Sequence, residues 1–192
     1  MIINCYKIIN DEKLSEQLVS AKKIIGLIEE NRILKNFMTE FKDIKFDFFI
    51  NQINQKIAQY FPDLSNVEVD CFVVPKKILS LQHKNCIYDG FAYFSKLSKN
   101  PTIVISLYTD TCLVLCHEIC HILIKEVFPN SISCKGQIVE SAVEFLEYVF
   151  YKESCLNHYE EPDVFTKIRL DCFDNQKSSI VSFLRKEFFH DS

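Results

Sequence analysis

The sequence predicts an α+β fold in which a small mixed or antiparallel sheet packs on one buried helix and further helices flank both. Several segments rich in β-branched and aromatic residues either alternate between apolar and polar side chains or are apolar throughout, as strands are. Other segments repeat apolar residues at helical spacing. Residues 113–124 are apolar on nearly every side, which is typical of a helix inside the protein.

These patterns place the elements along the chain. The predicted strands cover residues 1–9, 67–74, 86–94 and 102–108. The predicted helices cover residues 11–33, 34–60 as one helix or a pair, 113–124, 135–153 and two segments within 156–190, with a short helical turn at 75–81. Asp110, or Thr109 before it, is expected to cap the buried helix by accepting hydrogen bonds from its first free N–H groups.

Composition favours one compact domain. A chain of 192 residues with 48% hydrophobic content can bury a sizeable core. Within it we expect an N-terminal helical segment at 1–62, a core at 63–155 and a C-terminal helical segment at 156–192. A net charge of −4 gives no basic surface for nucleic acid. No apolar run approaches the roughly 20 residues that a membrane span requires. Neither nucleic acid nor a membrane is therefore expected as a partner.

Cysteine usage indicates a reducing compartment. The chain has 9 cysteines, an odd number, and residues 1–11 lack the continuous apolar stretch of a signal peptide. We therefore expect a cytoplasmic protein with free thiols. Cys112, Cys116 and Cys120 recur every four residues along the buried helix. Packing as small apolar side chains is the favoured interpretation for these three, and a set of thiolate ligands is the alternative.

The buried helix contains the motif His117-Glu118-x-x-His121. At 3.6 residues per turn the two histidines lie one turn apart on one face, close enough to bind one metal ion, and Glu118 points about 100° away. Zinc bound in this way keeps a position for water and lowers its pKa toward about 7, so that Glu118 can take a proton from it. About 0.01 such motifs are expected by chance in this composition. The alternative is a pair of core histidines bonded to backbone carbonyls, with Glu118 in an ion pair.

A zinc site of this kind needs a third protein ligand. The predicted helix at 135–153 carries Glu140, Glu144 and Glu147 along one stripe, which is either its solvated side or, at its N-terminal part, a face toward the histidines. Glu140 is the favoured ligand and Glu144 the second choice. The remaining candidate ligands are Cys134, His158 and Asp171.

Two further sequence features bear on substrate binding. His158 and Tyr159 are candidate hydrogen-bond donors to an anionic intermediate, although a polar surface loop explains them more simply. The predicted strand at 102–106 directly precedes the buried helix, so we expect it beside the metal site. If its edge is free, a peptide could add to it as another strand.

The order of these motifs resembles that of the gluzincin metallopeptidases, in which a glutamate on the next helix completes a His/His/Glu zinc site. Within that group the chain is most similar to the compact cytosolic zincin domain of ImmA/IrrE type, and the similarity covers about residues 67–152. The positions that carry it are Gly90-Phe91-Ala92-Tyr93, Ile103-Val104-Ile105, His117-Glu118-Ile119-Cys120-His121 and Glu140-Ser141-Ala142-Val143-Glu144-Phe145. The resemblance implies a zincin-like fold, with His117, His121 and Glu140 as zinc ligands and Glu118 as the catalytic base.

The expected activity is that of a zinc metallopeptidase, a hydrolase that attacks peptide bonds with a metal-activated water. A regulatory or narrowly specific cytosolic protease is the favoured form, with a peptide or protein substrate and a regulatory protein as a further partner. The alternative is a catalytically idle, metal-stabilised zincin-like module that binds or regulates another protein. Glu118 favours the enzyme, because a structural zinc needs no base.

Overall fold

The computed structural model describes residues 1–8, 17–30, 38–41, 43–81, 86–94, 100–107, 110–133, 136–151, 161–176 and 178–189. Over these residues the protein is a mixed α+β structure with two small sheets and six α-helices, which confirms the predicted class. Among the same residues, no helix combines the length and apolar character needed to cross a membrane.

The strands and helices are numbered in chain order. The strands are β1 (Ile2–Ile8), β2 (Leu18–Ser20), β3 (Met38–Glu40), β4 (Glu68–Val74), β5 (Lys77–Leu79), β6 (Ile87–Tyr88), β7 (Gly90–Tyr93) and β8 (Thr102–Ser106). The α-helices are α1 (Ala21–Glu29), α2 (Ile44–Tyr60), α3 (Thr111–Val127), α4 (Gly136–Tyr151), α5 (Val164–Asn175) and α6 (Ile180–Phe188). Short 3-10 helices cover Pro62–Leu64 and Pro129–Ser133.

The larger sheet has the strand order β3-β1-β4-β8-β7. Its three central strands are parallel, while β3 and β7 are antiparallel to their neighbours. The smaller sheet has the order β2-β5-β6. In the larger sheet, strand β8 lies between β4 and β7. It is therefore an interior strand, and the expectation that a peptide could add to residues 102–106 is wrong. The reason is that β7 already pairs with it, with Phe91 opposite Val104.

The chain divides into two compact units, one formed by residues 1–50 and 66–118 and the other by residues 51–65 and 119–192. The division passes through α2 and α3. The three-part organisation predicted from the sequence is not tested by it and stays a prediction.

In the first unit, α1 packs on one face of the larger sheet. Ile24 and Leu27 of α1 share a buried apolar cluster with Phe72 of β4, Phe91 of β7 and Val104 of β8. Successive side chains of a strand point to opposite faces, so the intervening strand residues form the other face. These intervening residues are also buried, and they are Cys71, Val73, Ile103 and Ile105.

In the second unit, α4 packs against α5 and α6. Phe145 of α4 is fully buried and lies at the centre of an aromatic group. Its ring centroid is 5.0 Å from that of Phe183, 5.8 Å from that of Phe173 and 6.0 Å from that of Phe188. Aromatic side chains bury large areas, so this group stabilises the three-helix packing.

Several element predictions are confirmed and others are wrong. The strands predicted at 1–9, 67–74 and 102–108, the buried helix, the helix at 135–153 and the two C-terminal helices are all found. Within the predicted helix at 11–33, residues 18–20 are strand β2, and within 34–60, residues 38–40 are strand β3. The predicted turn at 75–81 contains strand β5, and the strand at 86–94 is divided into β6 and β7. In the first three cases pairing with a distant strand overrides local periodicity.

Candidate metal centre

Helix α3 is held at both ends by side chains. The Asp110 carboxylate accepts hydrogen bonds from the backbone N–H groups of Cys112, at 3.1 Å, and Leu113, at 3.2 Å, as an N-cap does. At the other end, Lys125 Nζ donates to the carbonyl of Pro129 at 2.6 Å. The prediction that Asp110 caps this helix is confirmed.

The middle of α3 is largely inaccessible to solvent. Its fully buried residues are Leu115, Cys116, Ile119, Cys120, Ile122 and Leu123. His117 and His121 are half-buried, so their face of the helix is the one that solvent or a ligand reaches. An apolar helix with two adjacent histidines on its open face matches the arrangement that the sequence predicts.

The structure brings His117, His121 and Glu140 together. Each offers one ligand atom, and these three atoms lie within 4.8 Å of one another. The distance from His121 Nε2 to Glu140 Oε2 is 3.6 Å. Ligands at 2.0–2.1 Å from a tetrahedral zinc ion are about 3.3 Å apart, so this pair needs only a small adjustment to share an ion.

The donor set is chemically suited to a metal ion. Two imidazole nitrogens and one carboxylate oxygen are a combination that zinc accepts in catalytic sites, with a further position left for water or substrate. Other divalent transition metals also bind such ligands, so the donor set is compatible with a divalent metal ion but does not identify which one. The side chain of His121 is 21% exposed and that of Glu140 is 59% exposed, which leaves the group open to solvent.

Glu118 lies between the two histidines in sequence but is far more enclosed, with 6% of its surface exposed. It packs near the start of β7, because a Cβ built on Gly90 would lie 3.5 Å from Glu118 Cγ. Glu118 is also engaged with a neighbouring group, as a buried carboxylate must be. A carboxylate is therefore held on α3 one residue from His117.

Glu144, the second candidate for third ligand, is directed to α5 and is absent from the metal-compatible group. Its carboxylate accepts a hydrogen bond from Thr166. Partial burial, and then the negative charges of Asp163 and Glu147, raise the pKa of Glu144, while Arg169 and the Thr166 hydrogen bond act in the opposite direction. Within the described residues it is Glu140 that joins the histidines.

The acidic stripe of α4 is not simply a solvated face. Glu140 is exposed and Glu144 is half-buried, but only 6% of Glu147 is accessible. The helix carries three carboxylates on one stripe in three different environments. Of these three carboxylates, that of Glu140 lies beside the histidines.

The cysteines of α3 behave as packing residues. Cys116 and Cys120 are buried, and neither forms a disulfide. Burial, reinforced by the negative charges of Asp110 and Asp43, raises the pKa of Cys112 to about 11, so its thiol stays protonated at neutral pH. Within the described part of the chain, the metal-compatible group includes no thiolate.

Cys134, His158 and Tyr159 lie outside the described residues. Asp171 is exposed on α5 and does not belong to the metal-compatible group.

The steric role of Gly90 was missed at the level of the sequence. A Cβ at this position would lie only 2.5 Å from Val114 Cγ1 and 2.9 Å from the carbonyl oxygen of Val104, closer than real Cβ atoms come to other atoms. The available signal was a glycine inside a predicted strand, which often marks a close backbone approach.

Comparisons of this chain with models of protein families, with curated proteins and with solved structures find no match. The resemblance to gluzincins is therefore carried by the motif and its spacing alone. What the structure adds is that Glu140, which is distant in sequence, lies beside the two histidines.

Proposed function

We propose that this protein is a zinc-dependent peptidase with a zincin-like fold, in which His117, His121 and Glu140 hold the ion and Glu118 is the catalytic base. The observation that carries the proposal is the convergence of the three ligand atoms within 4.8 Å. The resemblance to ImmA/IrrE-type domains supports the narrower family assignment.

The roles of the residues follow from their positions. When bound, zinc would supply Lewis acidity, polarising a carbonyl oxygen and lowering the pKa of water. Glu118, enclosed beside β7, would accept the proton of the attacking water and pass it to the leaving amine. The half-buried histidines and the exposed Glu140 would hold the ion at a face that an incoming chain can reach.

The substrate we propose is a peptide or protein. An open site suits a polymer, which need not enter a closed cavity, and the exposure of Glu140 supports this. None of the described cysteines forms a disulfide, which agrees with action in a reducing compartment such as the cytoplasm.

Replacement of the base tests the proposed function. Glu118→Gln keeps the size of the side chain but removes its capacity to accept a proton. Zinc content and melting temperature should change little, while hydrolysis should fall by about 10²–10⁴-fold. The measurement is the set of new protein termini that appear in cells with the wild-type protein and are missing with the variant. Equal sets of termini from the two proteins would contradict the peptidase assignment.

A second function is favoured by one observation on α5. Val164, Phe165 and Ile168 lie together on this helix and are 69%, 71% and 54% exposed, as residues of a protein-binding surface often are. A catalytically idle zincin-like module that binds a regulatory partner would use such a surface. A cellular phenotype abolished by His117→Ala but unchanged by Glu118→Gln would favour the module over the enzyme.

A further inference from the structure

Gly90 is a contact point between the larger sheet and helix α3. It is the first residue of β7 and pairs with Ile105 of β8. Its φ lies outside the left-handed range, so the backbone conformation does not call for glycine. The requirement is one of space, since Val114 Cγ1 and the Val104 carbonyl oxygen already occupy the volume that a side chain would need.

The strands at this contact cannot move easily to make room for a side chain at position 90. Val104 is fully buried in β8, which is paired on both sides with β4 and β7. Next to Gly90, the carbonyl of Asp89 accepts a hydrogen bond from Ser106 N–H at 2.8 Å, which fixes the start of β7 on β8. A side chain at position 90 would therefore displace the helix before it displaced the sheet.

On the helix side, the displaced residue is Val114. Valine is β-branched and has essentially one χ1 rotamer in a helix, so Cγ1 cannot rotate away without strain. Glu118 follows Val114 by four residues and lies on the same helix face, one turn further on. Its Cγ is also the third atom near the position of a Gly90 Cβ, at 3.5 Å. A shift of Val114 would consequently carry Glu118 with it.

We propose that Gly90 is a positioning residue for Glu118, and that its missing side chain sets how closely the carboxylate approaches the edge strand β7. This inference rests on the proposed function for its catalytic meaning, but its geometric content can be tested without it. None of the three atoms nearest to a Gly90 Cβ belongs to a histidine, so zinc binding should survive a substitution there.

The test compares Gly90→Ala, Val114→Ala and the double variant with wild type. Gly136→Ala is the matched control, because a Cβ at that glycine meets nothing within 4 Å. Each full-length protein is loaded with zinc, crystallised, melted and assayed with dye-labelled casein as a broad peptidase probe. The same substitution is also made in the Glu118→Gln background.

In crystals of Gly90→Ala we expect a shift of at least about 0.5 Å at Val114, the difference between 2.5 Å and the 3.0 Å below which Cβ contacts are essentially not found, with Glu118 moving in the same direction. A misplacement of the base approaching 1 Å should lower kcat about 10²-fold while KM and zinc content stay near wild type. Adding Val114→Ala removes Cγ1 but keeps the 2.9 Å contact with the Val104 carbonyl, so activity and melting temperature should both rise above those of Gly90→Ala by the part of the loss that Val114 causes.

The Glu118→Gln background separates positioning from general damage. If Gly90 acts through the base, Gly90→Ala should cause little further loss once the base is gone. An equal loss in both backgrounds would overturn the proposal, and so would an unmoved Glu118 in the crystal structure of Gly90→Ala. If Gly90→Ala does not fold, the double variant decides: its failure would show that the 2.9 Å contact with the Val104 carbonyl, and not Val114, is what requires glycine at position 90, and this would overturn the proposal.

Failure of the proposed function gives a different result. A wild-type protein that carries no zinc, or that leaves casein intact together with every cellular protein, would contradict the peptidase assignment. The position of Glu118 in wild-type and Gly90→Ala crystals would still decide whether Gly90 sets the place of that carboxylate.

Discussion

At the residue scale, three carboxylates on one helix show why proximity decides which group can bind a metal. Glu140, Glu144 and Glu147 belong to a single stripe of α4, yet only Glu140 lies beside His121. Glu144 is bonded to Thr166 of α5, and Glu147 is enclosed. Their chemistry is the same, so the difference in expected role comes from their neighbours.

Glu140→Ala should weaken zinc binding by about 10–100-fold or more, because a ligand contributes a coordinate bond directly. Glu126→Ala is the matched control, since Glu126 is an exposed glutamate near the end of α3. The measurement is competition for zinc against a chelator of known affinity. Equal affinities of the two variants, or a larger loss in Glu144→Ala, would show that the wrong turn of α4 had been assigned to the metal.

Glu144→Gln should change the dependence of stability on pH. The pKa of Glu144 is raised in the folded protein, so its ionisation opposes folding. Its contribution to stability is present below the unfolded pKa and is lost as the pH rises through the higher folded pKa. The variant should therefore gain stability relative to wild type between about pH 4 and pH 7. The gain should stay below about 1 kcal/mol because the carboxyl is partly exposed.

Urea unfolding of the metal-free proteins at these two pH values checks this, since zinc binding would add its own pH dependence. Glu126→Gln, at an exposed position, controls for the loss of one negative charge. A constant difference between wild type and Glu144→Gln at both pH values would contradict the assignment of a raised pKa.

At the residue scale, the sequence predicted the spatial arrangement of those candidate residues that lie close together in the chain. His117, Glu118 and His121 share one turn of helix, so their spacing alone fixes their arrangement. Glu140 could be named only as the favoured candidate among several. Its distance from the histidines depends on how α4 packs against α3, and the local sequence of neither helix determines that packing. Gly90 was missed for the same reason, since its contacts are with α3 and β8 rather than with its own neighbours.

At the element scale, capping and periodicity predicted the long helices, and strand pairing explains the errors. Helix α3 begins after Asp110 as its cap indicated. The short strands β2, β3 and β5 have too few residues to show a period. These strands form because they pair with strands distant in sequence, and the propensity of the local sequence does not reflect such pairing.

The cap of α3 gives an element-scale prediction. Asp110→Ala removes the acceptor for two helix N–H groups and should lower stability by about 1 kcal/mol, or about 2–4 °C in melting temperature. Asp110→Asn, which can still accept these hydrogen bonds, should lose much less. Thermal melting of the metal-free proteins measures both. A similar loss in the two variants would indicate that charge, rather than capping, is the contribution of Asp110.

At the scale of the whole molecule, a metal ion would connect local chemistry to global stability. A ligand that binds only the folded state stabilises it by an amount that grows with its free concentration over its Kd. The three candidate ligand residues come from two helices that are separated in sequence by a 3-10 helix and residues beyond it. The unfolded chain does not hold them together, so zinc binding should favour folding.

Removal of zinc should therefore lower the melting temperature of the wild-type protein. At a free zinc concentration of about 100 times Kd the stabilisation is about 2.7 kcal/mol, which corresponds to about 5–10 °C for a chain of this size. His121→Ala should melt at the same temperature with or without a strong chelator, since it has lost a ligand that the ion requires. Protein purified without chelator should contain about one zinc per chain in wild type and far less in the variant. Unchanged melting of the wild-type protein in strong chelator would mean that the histidines are packing residues. His117, His121 and Glu140 would then contact one another as part of the packing of the protein and would not bind a metal.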